Sequence, residues 1–297
     1  HRPQHRLAGA HNRNQGGFQL RATSEARSYR YADVPEGVER TCSELVNLDV
    51  TLANGNIPDI NVGLSGISSA EDQALLIVLV AQRGSLDLAF AVFSWLEHRQ
   101  APPDFPNVTA FNGLLAACAN AYAWERALQV RTSMRASGVV GDATSYSLLL
   151  SVLKTKGADW RMATEVFREL EKTSFSPTQN DRQALITACS KGRQWKLALE
   201  GLRGMEAVGM KADTTTFNVV MLALKRGRQW DQVEEVFTQM RSEGVEASVV
   251  TYNAVMSAAV KRGGWQQAVP LLEQMAARGV ISNAVTYNIL IAACERG

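Results

Sequence analysis

The chain has 297 residues, 46% of them hydrophobic, and a formal net charge of +2. That apolar content excludes disorder over most of the length, and the near-neutral balance excludes a polycation that holds nucleic acid by composition alone. The longest apolar run, Ala74 to Ala81, is too short to cross a bilayer, and the four cysteines (Cys42, Cys118, Cys189, Cys294) form no CxxC, which argues against a zinc site or disulfide scaffold and suits a reducing compartment.

Residues 1–35 form a basic head. Four arginines (Arg2, Arg6, Arg13, Arg21) and three histidines precede the first acidic residue, Glu25. Two readings stand side by side, a transit-like segment of an organellar protein and a flexible basic stretch. Little regular structure is expected up to about Ala32. Residues 36–69 read as a capping and linking segment, with one helix expected within 36–56. The stretch SSAEDQALLIVLVAQRGSLDLAFAVFSWLEHRQ (68–100) reads as a helix pair, opened by a capping box of Ser68 with Glu71 or Ser69 with Asp72.

From there onward the chain repeats. Tryptophan recurs at 124, 160, 195, 230 and 265, and three residues after each stands a small or branched apolar residue: Ala127, Ala163, Ala198, Val233, Ala268. The same step carries Met134, Met205, Met240 and Met275, then Gly138, Gly209, Gly244 and Gly279, and also Asn112, Asn218, Asn253 and Asn288. One extra residue before Trp160, in KTKGADW, is expected to sit in a loop. Within a period, TYNAVMSAAVKRG (251–263) and WQQAVPLLEQMAARG (265–279) each place apolar residues at helical spacing and end on glycine. Pro270, inside the second of these, is expected to kink it or free a carbonyl.

Each unit is therefore an antiparallel helix pair, which buries its apolar stripe only by stacking on its neighbours. Stacking by itself permits either hand. The fold class expected is all-α, a right-handed superhelical solenoid (α-α repeat) over 70–297, with units at about 70–107, 108–142, 143–178, 179–213, 214–248 and 249–283 and a partial one at 284–297. A tryptophan early in each second helix would fill the gap to the next pair, contributing at most roughly 4–6 kcal/mol per buried ring. Tryptophan, methionine and the cysteine column (Cys118, Cys189, Cys294) are read as core. The lone His98, and the lack of HExxH or clustered carboxylates, give no support to catalysis.

The run VVTYNAVMSAAVKRGGWQQAVPLLEQMAARGVISN (249–283) resembles a pentatricopeptide repeat: a thirty-five-residue helix pair with T-Y-N near its start, a small residue in the second helix, then methionine and glycine. A tetratricopeptide array would need a period of 34 and W-x-x-L-G-x-x-Y, neither of which is present. The tryptophan column departs from the usual family pattern. The resemblance implies a protein that binds single-stranded RNA, one base per unit. It also implies which residues read the base edge: the fifth residue of a unit together with its last. These are Asn112 with Asp142, Ser147 with Thr178, Gln183 with Asp213, Asn218 with Ser248, and Asn253 with Asn283, while Asn288 begins a sixth pair. By the same analogy Asn112 with Asp142 favours uracil and the last two pairs favour pyrimidines. The second residues, Thr109, Thr144, Thr215, Val250 and Val285, would pack on base faces; Asn180 and the pair Ala74 with Asn107 depart from the pattern.

Lys191, Arg226, Lys261 and Arg296 recur at the end of each first helix, and residues 108–283 hold 21 basic and 16 acidic residues. They are read either as phosphate contacts, about four of which give a salt slope of about −3, or as partners of the helix macrodipole. The asparagine column likewise reads as base reader or as helix cap. The expected protein is nuclear-encoded, works in a mitochondrion or chloroplast on RNA processing, stability or translation, and is not itself an enzyme. It needs no cofactor or metal, has no membrane span and takes no small-molecule substrate. The main alternative is a scaffolding subunit that holds other proteins of an organellar complex; a third reading is the RNA-binding arm of an enzyme with a further catalytic domain.

Overall fold

A computed structural model describes residues 35–52, 69–83, 86–98, 105–155, 157–263 and 265–295. The basic head through residue 34, Ser68, Lys156 and Arg296 lie outside the described residues. Among those described, all regular structure is α-helix: α1 (Glu36–Leu52), α2 (Ala70–Arg83), α3 (Leu86–His98), α4 (Val108–Asn120), α5 (Trp124–Ala136), α6 (Ala143–Leu153), α7 (Trp160–Lys172), α8 (Gln179–Lys191), α9 (Trp195–Ala207), α10 (Thr214–Arg226), α11 (Trp230–Ser242), α12 (Val249–Gly263), α13 (Trp265–Ala277) and α14 (Ala284–Cys294). The first helices of the pairs are α2, α4, α6, α8, α10, α12 and α14. The second helices are α3, α5, α7, α9, α11 and α13.

Local chemistry explains the boundaries. First helices open on residues in extended backbone whose side chains accept the N3 amide: Asn107, Asp142, Thr178, Asp213 and Asn283. Ser248 does the same for α12 through the Thr251 amide, 3.4 Å away, and Ser69 for α2 through the Asp72 amide at 3.0 Å. Each such cap is worth about 1 kcal/mol. Four second helices, α5, α9, α11 and α13, close on glycine, whereas α7 ends on Thr173 in extended backbone. Gly138, Gly209, Gly244 and Gly279 hold φ between 68° and 73°, where a side chain would be strained. The next amide then returns to the methionine carbonyl, as from Val245 to Met240 at 3.0 Å. The extra residue before Trp160 lies between α6 and α7. Pro270 is exposed on α13, which continues past it without the amide that would reach the Gln266 carbonyl.

Residues 37–297 make one compact unit. In it, each first helix packs on the first helix of the next pair, and each second helix packs on its own first helix and on the next one. Second helices make at most marginal backbone contact with one another. They meet through long polar side chains, such as buried Arg131 bonded to Glu165 and Glu169 at 2.8 and 2.7 Å. Closer approach in one layer than in the other bends a stack, so the first helices line its inner wall.

The apolar columns fill the space between layers. Ala127, Ala163, Ala198, Val233 and Ala268 are fully buried, as are Phe111, Phe217 and Tyr252 on the first helices. Leu86, in the tryptophan column, opens α3, and Ala89 behind it is fully buried. The tryptophans sit at the edge of the core, half-buried except for the more exposed Trp265, so each contributes less than the full-burial figure. Trp160 and Trp195 are seated on a glycine of the next unit. A Cβ placed on Gly192 would lie 2.3 Å from Trp160 Cδ1, and one on Gly227 2.4 Å from Trp195 Cδ1.

One core assignment needs correction. Cys118 and Cys189 are buried, but Cys294 is exposed. Tyr287 and Ile291 on α14 are 53% and 56% exposed, whereas their counterparts Tyr252 and Met256 are fully buried. Among the described residues no second helix follows α14 to cover that face.

Candidate functional site

The inner wall is built from two kinds of position that meet at every junction between units. The fifth residue of a first helix points toward the capped start of the next first helix. Asn112 Nδ2 donates to both carboxylate oxygens of Asp142, at 3.1 and 3.3 Å. Gln183 Nε2 donates to Asp213 at 3.2 and 3.4 Å. Asn218 Nδ2 reaches Ser248 Oγ at 3.4 Å, and Asn253 Nδ2 reaches Asn283 Oδ1 at 3.3 Å. Four of the five expected pairs are thus joined by hydrogen bonds across thirty residues of sequence. Ser147 and Thr178 are not joined, because a serine hydroxyl is too short to span the junction; Thr178 turns instead to Asp181. Asn107 caps α4 through the Ala110 amide at 3.0 Å, opposite the buried Ala74. Asn288 is exposed on α14.

The asparagines therefore do not cap their own helices. Their partners do: Asp142, Thr178, Asp213, Ser248 and Asn283 are all N-cap residues. A third residue at these junctions escaped the sequence reading. Ser145, Thr216, Thr251 and Thr286, at N3 of the following first helix, are fully or almost fully buried and bond to the amide or its cap. The signal was present, since a hydroxyl three residues after a capping side chain is the pattern of a capping box and recurs with the period.

The second residues face solvent. Val250 and Val285 are 60% and 54% exposed, Thr144 and Thr215 are exposed, and Thr109 is half-buried. Exposed valine on a wall lined by amides is a place for an apolar or aromatic face to rest.

The basic column is engaged elsewhere. Lys191 Nζ donates to the Lys154 carbonyl at 2.5 Å, and Arg226 Nη1 to the Ser190 carbonyl at 3.3 Å. Both acceptors end a first helix of the preceding unit, so these cations tie successive C-termini together. Burial, with the nearby charge of Lys154, holds the Lys191 ammonium below the usual lysine range, and burial does the same at Lys225. Lys261 is exposed. Beside this column the turn residues Arg193 and Arg228 hold φ of 58° and 56°, a left-handed strain of about 1 kcal/mol each. Glycine stands one position earlier, under the tryptophan.

Among the described residues no group of three His, Cys, Asp or Glu side chains is placed to hold a metal ion, and no helix is long and apolar enough to cross a membrane.

Comparison with known families gives this arrangement its name. The pattern of the PPR repeat family matches residues 247–296, and that of the pentatricopeptide repeat domain matches 105–156, 165–226 and 202–262, more than half the chain. The chain belongs to the pentatricopeptide repeat family. Among individual relatives, the chloroplastic pentatricopeptide repeat-containing protein 10 of Zea mays is 26% identical over 126 residues, 42% of this chain and 16% of that protein. The crystal structure of the maize protein superposes with a TM-score of 0.62 at 23% identity, covering 85% of this chain and 36% of that one. The pentatricopeptide repeat domain of Arabidopsis thaliana protein-only RNase P 1 superposes at 0.56 with 14% identity, covering 61% and 95%. The matched segment thus spans about a sixth of the maize relative's length, and the superposition about a third of its crystal structure. The two superpositions describe the same all-α helical-repeat solenoid.

Proposed function

We propose that these pentatricopeptide repeats bind single-stranded RNA along the wall of first helices, one nucleotide per junction. The observation that carries this reading is the set of cross-unit amides. Asn112, Gln183, Asn218 and Asn253 are each held by the next unit yet keep donor or acceptor capacity to spare. An exposed second residue, such as Val250, gives the base face a support beside the edge reader. By family analogy the first of these pairs takes uracil and the last two take pyrimidines. Ser147 with Thr178 lacks the cross-junction bond and is assigned no base. With Lys191 and Arg226 committed to carbonyls, Lys261 and the strained Arg193 and Arg228 are the better phosphate contacts.

The role is occupancy rather than catalysis: covering an end, opening a hairpin or presenting the RNA to other proteins. An organelle is the setting this reading favours, supported by the chloroplastic maize relative; the Arabidopsis domain, whose structure is a complex with tRNA, supports an RNA ligand. The test is binding to a pool of short random single-stranded RNAs. The wild-type chain is expected to enrich a short motif containing pyrimidines. Asn218→Ala combined with Asn253→Ala is expected to lose that enrichment while keeping its helical circular dichroism. Equal enrichment by the double variant would defeat the reading.

A further inference from the structure

The amides of Asn112, Asn218 and Asn253 are bonded at both ends, and the second bond comes from the buried N3 hydroxyls. Ser145 Oγ lies 2.6 Å from Asn112 Oδ1, Thr251 Oγ1 2.7 Å from Asn218 Oδ1, and Thr286 Oγ1 2.7 Å from Asn253 Oδ1. Each hydroxyl accepts from the backbone amide of its own cap residue, at 3.2, 3.0 and 3.3 Å respectively. Its proton is therefore free to point outward. The cap oxygens compete for that proton only from 2.9, 3.1 and 3.1 Å, so the shorter contact to the asparagine takes it.

The junctions vary together within this one chain. Hydroxyls at N3 face amides: Ser145 faces Asn112, Thr216 faces Gln183, Thr251 faces Asn218 and Thr286 faces Asn253. Where N3 is Asp181 the opposite residue is Ser147, and where N3 is Ala110 it is Ala74. Helix capping alone asks for no such match, since Asp181 caps as well as any hydroxyl. At Gln183 the polarity is reversed. Thr216 gives its proton to Asp213 at 2.7 Å and receives Gln183 Nε2 at 3.3 Å, leaving the glutamine oxygen free of it.

We propose that the N3 hydroxyls are positioning residues that fix the asparagine amides from their oxygen end and, where the cap residue can both donate and accept, decide which end faces the ligand and so which base edge that unit accepts. The inference rests on the RNA-binding reading above. Thr251 is the decisive case. Asp142 carries only acceptors and orients Asn112 by itself, whereas Ser248 can donate or accept, so at that junction the Thr251 hydroxyl alone selects the orientation of Asn218.

The experiment selects the same random single-stranded RNA pool with the full chain and with Thr251→Val and Thr251→Ser. The valine variant is expected to flatten base preference in one motif column by about fivefold to tenfold, the worth of one hydrogen bond, with the other columns unchanged. The serine variant should restore that column. A purely structural loss would weaken all columns alike. Thr251→Ala replaces the valine variant if the latter melts early. A wild-type motif from the hydroxyl-free variant overturns this inference alone; no motif from the wild type overturns the RNA reading and the inference with it.

Discussion

At the scale of single residues, burial decides which groups remain chemically available. The Cys118 and Cys189 thiols are pushed up to about 11, chiefly by desolvation, and the Cys42 thiol is raised for the same reason. At pH 8 only about one in a thousand of the Cys118 or Cys189 thiols is then ionised. Cys294 is exposed. Brief treatment of the native chain with iodoacetamide at pH 8 is expected to alkylate Cys294 alone, and all four thiols after denaturation, as read by mass spectrometry of the peptides. Early modification of Cys189 would show that the helix pairs open far more readily than their packing implies. The asparagine column shows what residue-level reading reaches. Its recurrence identified the wall, but the hydroxyl facing it came to light only once α10 and α12 were side by side.

At the scale of helices, the tryptophan and the glycine are halves of one contact thirty-two residues apart. Gly192 has φ −74°, an ordinary helical value, so its lack of a side chain serves the neighbouring indole and not the backbone. Gly192→Ala would place a methyl carbon 2.3 Å from Trp160 Cδ1. It is expected to destabilise the chain by about 1–3 kcal/mol in urea denaturation, with partial recovery in combination with Trp160→Leu. Wild-type stability for the single variant would mean that the indole does not hold this seat. In the sequence, Gly192 and Gly227 look like turn glycines. The left-handed residues of those turns are the arginines that follow them, and only the packing separates the two roles.

At the scale of the whole molecule, helices that touch only their neighbours give a chain without a single central core. The cluster around Phe217, Val220, Met221 and Tyr252 is buried from both sides, while α14 presents Tyr287 and Ile291 to solvent. Stability in such a stack is close to a sum of nearest-neighbour terms. Amide hydrogen exchange is expected to be slowest in α10 and α12 and progressively faster toward α2 and α14. Uniform protection from end to end would indicate an all-or-none unit instead.

The period, the pairing of helices, the glycine stops and the asparagine column were legible in the sequence, because each depends on local geometry repeated at a constant step. Tertiary structure alone decided what each polar group touches. It showed that Lys191 and Arg226 bind carbonyls, that cap residues such as Ser248 serve two helices at once, and that buried hydroxyls bond to the asparagine amides. A one-dimensional pattern states which side chains recur; a hydrogen bond a few ångströms long depends on how two helices thirty residues apart are set against each other.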